Sequence, residues 1–546
     1  MTDLFNFSGF KDYHYAWLIL GFALFFISLS FHIKSKNNWA LFFLVLSAAS
    51  LYVFSALLDP FVNIWDERYH ALAARNCMDN FLEPRLYKEI LIPEYDYLNW
   101  TSSHIWLHKQ PLFLWQIAII FKLFGISELT LRLPSIIMST LLVLIGYRVA
   151  MLLVDKKFAY YTAISITFSW FLLNLVSGYQ SVEVNDVCFI FYVSASIWSW
   201  IEYIKSNRKW KWVPLIGLFA GCAILTKWLP GILIFFVWGL YLIAEYKFKI
   251  QLWKIKHILV ALLFSVIVAL PWQLYTFKNY REAAVIEYQY NSRHFFEPIE
   301  GHSSKFEYHF KNLAFLYIGD DKWVPDNPIK ATQVIIYIIL GAGFLLFLFY
   351  LKKNSFRITF LGTFIGVYLF YSFAQTKMPT YPFLICLLGF MSLGAIIYFI
   401  DNLLTNYISN KVIKWLILIP IIILFSFRQM NFTKIRNLHT ENKETWWRAD
   451  LIYNKNVYKQ IEKDLPENCV IFNVRGDEHN NANSMFIEGM FYTGHDCYPF
   501  PPSQEVVKIL KAKDYPIAIF THHPIPDYIK NDTSIIKIDR ILKNDM

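Results

Sequence analysis

Trp65-Asp66-Glu67-Arg68-Tyr69-His70 stands just past an apolar run at 39–58. Two adjacent carboxylates at the mouth of a membrane-length segment are costly to desolvate, so they are rarely there for stability. An Ala-rich amphipathic run at 71–78 follows and predicts a helix that begins at the acids. Carboxylates in a first helical turn are held by free backbone N–H groups and by the positive end of the helix dipole. The same pattern would serve a plain helix cap beside lipid headgroups. The rest of the chain decides between the two.

Of the 546 residues, 56% are hydrophobic, 19% aromatic and only 17% charged; soluble domains carry about a quarter charged residues. Apolar runs recur at 14–32, 39–58, 132–153, 158–176, 184–204, 212–226, 229–245, 257–275, 332–351, 357–374, 380–400 and 413–428. Most approach the ~20 residues that a helix needs to cross a bilayer. The chain therefore reads as an all-α polytopic membrane protein with about twelve spans. Its net charge of +10 does not point to nucleic acid, because the Lys and Arg residues cluster in short loops. Lys34/Lys36, Lys156/Lys157, 205–211, 247–256, 352–357 and Lys411/Lys414 form this pattern. Basic loops of this kind set membrane orientation. With all of them cytoplasmic, the spans alternate and both termini lie outside. The first apolar run lacks a small-residue cleavage site, so no cleaved signal peptide is expected.

The segment at 111–124 is apolar but short for a span, and predicts an interfacial or re-entrant helix. The outer face then holds loops at 59–131 and 276–331, attached to a membrane domain at 1–428. A tail, 429–546, forms a small extracytoplasmic α/β domain. Its strands are expected at 470–472 and 517–520, and its helices at 455–464 and 504–513. His522-His523 reads as an exposed loop pair. Cys188, Cys222 and Cys386 lie in apolar runs as small core residues, whereas Cys469 and Cys497 of the tail could pair if it is extracytoplasmic.

Five elements share the outer face. They are Asp66-Glu67, the stretch from His104 through His108-Lys109-Gln110-Pro111-Leu112, Thr226-Lys227-Trp228, Arg293-His294 through Gly301-His302, and Thr376-Lys377-Met378-Pro379-Thr380-Tyr381. Asp186, with Glu183 one turn before it, is hard to explain as packing. A carboxylate among several cations at a bilayer surface suits a reaction between a hydroxyl and a phosphate-bearing lipid. The carboxylate takes the proton of the acceptor, and the cations neutralise the leaving phosphate. Taken singly, each Lys is also explained as a snorkelling interface residue.

In this order and on this face, the motifs resemble the GT-C membrane glycosyltransferases. The closest patterns are the bacterial aminoarabinose transferases of lipid A and the protein O-mannosyltransferases. The resemblance covers about residues 39–400. It implies Asp66, Glu67 and Asp186 as the catalytic acids, with Asp66 as base or acceptor-orienting group. It implies Lys109, Lys227, Lys377 and Tyr381 around the donor phosphate, joined by Arg68 as a substitute for an Arg that those transferases carry where this chain has Tyr69. They also carry a Glu where this chain has His108. His302 matches the histidine of the second large loop. A divalent metal, zinc or manganese, held by His104, His108 and His302 with a carboxylate is a further expectation. No nucleotide cofactor is expected, since no nucleotide-binding glycine loop is present.

The expected activity is transfer of a sugar, hexosyl or pentosyl, from a polyprenyl-phosphate donor to a lipid, protein or glycan acceptor. It would take place on the periplasmic face of a bacterial inner membrane. The alternative is a transporter or flippase of a lipid-linked anionic substrate, in which the same cations bind without reacting.

Overall fold

The computed structural model describes residues 9–180, 184–247, 252–323, 329–476 and 484–543. Glu183 and part of the basic loop at 247–256 lie outside them. Among the described residues ten helices are long and apolar enough to cross a membrane, from Asp12–Ile33 to Lys411–His439. The chain is a multi-pass membrane protein. Two of the twelve expected spans differ. Residues 158–176 form a pair of helices, Lys156–Thr167 and Trp170–Val176, bent by 47°. Ser169 restarts the second by accepting a hydrogen bond from the Leu172 N–H. The expected span at 212–226 is a 16-residue helix, Trp212–Lys227, which at 1.5 Å per residue reaches about 24 Å of a ~30 Å hydrocarbon core.

The chain groups into two compact units that are discontinuous in sequence, unlike a linear division at 428/429. One contains 1–56, 135–177 and 185–436; the other contains 57–134, 178–184 and 437–546. In the first unit, apolar side chains such as Ile338, Leu345 and Phe349 of the Ala331–Tyr350 helix are exposed, as lipid contact requires. Close helix approach uses small residues. A β-carbon at Gly217 would meet the Ala261 carbonyl, and one at Gly221 would meet Val268. This lets Trp212–Lys227 lie directly on Leu252–Asn279, with Ser265 donating to the Gly217 carbonyl at 3.0 Å.

The second unit joins the first outer loop to the tail. Four parallel strands, β1 (Val470–Phe472), β2 (Asp496–Cys497), β3 (Ile517–Phe520) and β4 (Ile536–Ile538), lie in the order β2-β1-β3-β4. Helices Trp447–Asp464, Met485–Thr493 and Gln504–Ala512 complete an α/β arrangement. Cys469 and Cys497 are both free thiols. Cys497 lies opposite Ile471 in the β1–β2 register, two residues along from Cys469, so the strand pairing does not set the two side by side. His522 and His523 are not an exposed pair either. His523 is buried, and the two rings meet the carbonyls of Arg475 and Gly476 through Nε2.

Candidate functional site

In the second unit the expected helix is present as Asp66–Asn76, and its acids are buried rather than set in the headgroup layer. It starts at Trp65, whose φ of +61° is uncommon outside glycine. Consecutive helical residues point about 100° apart, so Asp66, Glu67 and Arg68 leave the first turn in three directions.

Asp66 Oδ2 lies 2.8 Å from Lys109 Nζ, and the lysine keeps about a fifth of its surface exposed. His70 donates from Nδ1 to the Asp66 backbone carbonyl at 2.6 Å, which leaves its Nε2 buried and unpaired among the described residues. Burial, against the pull of the Asp66 carboxylate, pushes the His70 imidazole down to about 4. Aromatic rings form the walls. His108 stacks on Trp100 at 4.5 Å, and Tyr69 lies against Trp100 and Trp106. The stacking holds residue 108 in place and thereby aims Lys109.

Glu67 is a brace. Arg132 grips it with two parallel bonds of 2.8 and 2.9 Å, and the Asn63 amide adds a third at 3.0 Å. Arg132 also donates to the carbonyls of Asp59 and Phe61. Asp59 in turn meets Arg448, His439 (2.8 Å) and Asn63. Burial alone would push the Asp59 carboxyl up, but His439, Arg448 and Arg132 hold it well below the usual carboxylate range. Arg68 is not at a phosphate-binding position. It is fully buried and paired with Glu488 at 2.9 Å, with Ser484 at 3.2 Å. The second direction after Asp66 on the helix points into the protein interior.

In the first unit, Asp186 opens the Asp186–Lys205 helix and Lys227 closes Trp212–Lys227, and the two form an ion pair. Asn185 ties the same helix ends by donating to the Thr226 carbonyl at 3.0 Å. The Lys227 ammonium also lies 5.5 Å from the centre of the Tyr381 ring, a cation–π geometry. Tyr371 and His309 adjoin Tyr381, with ring centres 5.1 and 6.4 Å away. His309 is fully buried and neither ring nitrogen has a hydrogen-bond partner among the described residues. Burial, helped by the Lys377 ammonium, pushes it down to about 3. It is a neutral imidazole.

Lys377 does not do what its motif implied. Its ammonium donates to the carbonyls of Tyr371 (3.2 Å), Ser372 (2.6 Å) and Ala374. This caps the C-terminal end of the Asn354–Phe373 helix, where a cation complements the dipole. All three protons are used, so none remains for a phosphate. Burial lowers its pKa. His302 lies beside it in backbone only, accepting from the Lys377 N–H at 2.8 Å.

Among the described residues, no three His, Cys, Asp or Glu side chains stand together in a metal-holding group. Within the second unit, His108 stacks on Trp100. The motifs gave no role to Asp59, Arg132, His439, Arg448, Glu488 or His309. Arg132 had a signal: a charge inside the apolar run at 132–153 invites a partner. The others carried none.

The comparisons agree on architecture. A family model described as dolichyl-phosphate-mannose-protein mannosyltransferase matches residues 108–275. In sequence the chain is 26% identical over 227 residues to an uncharacterized protein of Aquifex aeolicus, and the match spans 40% of each. In structure it is similar to ArnT from Cupriavidus metallidurans bound to undecaprenyl phosphate. The TM-score is 0.60 at 14% identity, over 87% of this chain and 88% of that one. It is also similar to the oligosaccharyltransferase AglB from Archaeoglobus fulgidus in complex with an inhibitory peptide and a dolichol-phosphate. There the TM-score is 0.51 at 13% identity, over 85% of this chain and 65% of that one. The chain has the GT-C fold, with a small α/β part at its C-terminal end.

Proposed function

We propose that this protein is a glycosyltransferase that moves a sugar, hexosyl or pentosyl, from a polyprenyl-phosphate carrier to a lipid, protein or glycan acceptor outside the cytoplasmic membrane. The observation that carries the reading is the buried Asp66 carboxylate held at 2.8 Å by the ammonium of Lys109, at the start of a braced helix. An acid in a low-dielectric setting, on a helix turn held by Arg132 through Glu67, is suited to accept a proton at a defined point. Two neighbours of the same fold were solved with polyprenyl phosphates bound.

The reaction is one in-line displacement. Asp66 takes the proton of the acceptor hydroxyl, and the acceptor oxygen attacks the anomeric carbon. The bond from that carbon to the phosphate oxygen breaks with its electron pair. Polyprenyl phosphate leaves with its added negative charge, and the anomeric configuration inverts. A phosphate is a good leaving group, so no second carboxyl is needed to protonate it, unlike in most glycoside hydrolases. Lys227, aimed by Asp186 and Tyr381, is the cation assigned to the phosphate, where charge develops in the transition state. Glu67 positions Asp66 through the chain and does not react.

The test is incubation of the purified protein with radiolabelled polyprenyl-phosphate mannose and polyprenyl-phosphate aminoarabinose. Covalent transfer, or slow hydrolysis without an acceptor, supports the enzyme. Movement of intact donor across a vesicle with no covalent change would instead establish a flippase. Asp66→Asn should lower turnover about 10²–10⁴-fold with donor binding and folding retained. Activity within a few-fold of the parent would remove Asp66 as base.

A further inference from the structure

We infer that the C-terminal tail is a positioning element for Asp66, acting through Glu488 on Arg68; the inference rests on Asp66 being the base. The helix that carries Asp66 presents two arginines on one face, Arg68 in its first turn and Arg75 in its last. Seven residues are about two turns, so both point the same way. The tail helix Met485–Thr493 takes both. Glu488 pairs with Arg68 at 2.9 Å, and the Phe491 carbonyl accepts from Arg75. Gly494, at φ +73°, ends that helix beside the Arg75 guanidinium.

A second feature argues that the tie serves aim rather than stability. Arg68 and Glu488 are both fully buried, and a buried ion pair is roughly neutral, or unfavourable, against apolar residues of the same volume. What the pair does supply is direction. Glu67–Arg132 and Asp66–Lys109 fix two sides of the first turn, and Arg68–Glu488 fixes the third. With all three in place the turn neither rotates nor slides. Releasing the third leaves the helix buried but lets the Asp66 carboxylate wander. A shift of about 1 Å at a reacting group costs on the order of 10²-fold in rate.

Arg68→Met/Glu488→Leu and Glu488→Gln, made in the full-length detergent-solubilised protein, test this. The donor is polyprenyl-phosphate mannose or aminoarabinose, whichever the parent turns over, with Asp66→Asn alongside. The apolar double variant is expected to melt near the parent temperature. Its kcat should fall about 10–100-fold with donor KM within about twofold, and amide exchange across residues 64–76 should quicken. Glu488→Gln should lower kcat per folded molecule while also losing stability, because it leaves the buried Arg68 guanidinium without its counter-charge. A double variant with parental kcat and parental exchange overturns the inference, as does a Glu488→Gln loss fully accounted for by unfolded protein. An active Asp66→Asn would overturn the base assignment beneath it.

Discussion

The ammonium of Lys377 has carbonyl partners for all its protons, whereas that of Lys227 has a carboxylate on one side and a ring face on the other. The first arrangement ends a helix; the second leaves a partly exposed cation that a phosphate can share. Lys377→Met should therefore lower the melting temperature and leave donor KM unchanged. Lys227→Met should raise donor KM by about tenfold or more and lower kcat as well, because the cation gains strength as charge develops. Steady-state kinetics on both variants separates the two roles. Gly178 is a second such position. Its φ is +79°, and a β-carbon there would collide with the Glu67 carboxylate, which Arg132 holds immobile. Gly178→Ala should cost about 2–4 kcal/mol from strain and overpacking, read by thermal unfolding in detergent. Neither residue advertises its role in sequence, since a Lys in a Pro-containing turn and a Gly in a loop have many uses.

At the scale of elements, the start of the Asp66–Asn76 helix is a charge network. Asp59 and Asn63 come from the loop before it, Glu67 from its own first turn, Arg132 from the Glu128–Leu153 helix, and His439 and Arg448 from the tail end of the same unit. Because Asp59 is held well below the usual carboxylate range in the folded protein, its ionised form adds stability. That stability is complete above the unfolded value of about 4 and is lost as pH falls below it. The melting temperature of the parent should thus drop from about pH 5 downward. Asp59→Asn should be about 3–5 kcal/mol less stable at pH 7, since it leaves Arg448 without its partner, and its melting temperature should change less between pH 5 and 3. Thermal scans across that range check both. The helix and two of the four tail strands, β1 and β3, were legible from the sequence pattern. The network was not, because the spacing of charges along a chain does not say which of them fold together.

For the whole molecule, the loop charges predict orientation. Single cysteines at Glu300 and Glu505, both exposed, should react with an impermeant thiol reagent in intact cells, and one at Lys209 only after permeabilisation. The background is favourable, because Cys77, Cys188, Cys386, Cys469 and Cys497 are buried and Cys222 alone needs replacement first. Reaction at Lys209 from outside would reverse the topology. Metal content is read on the same purified protein. Bound zinc or manganese, with turnover lost on chelation, would support the metal site, and metal-free, fully active protein would remove it.

Apolar run length, basic loops and the strand periods of the tail are local properties, each readable within about 20 residues. From them the sequence by itself determined a polytopic helical membrane protein and an α/β tail with strands at 470–472 and 517–520, while the order of its charged motifs carried the resemblance to GT-C transferases. It also determined that Asp66, Asp186, Lys109 and Lys227 were worth following, because charge beside a membrane span is costly wherever it occurs. Only the tertiary structure decided what each charge meets. Asp186 and Lys227 lie 41 residues apart and form a pair; Glu67 and Arg132 lie 65 apart; Arg68 and Ser484 lie 416 apart. What a carboxylate can do depends on the cation that packing brings to it. That choice is made by contacts distant in the chain, which no local pattern encodes.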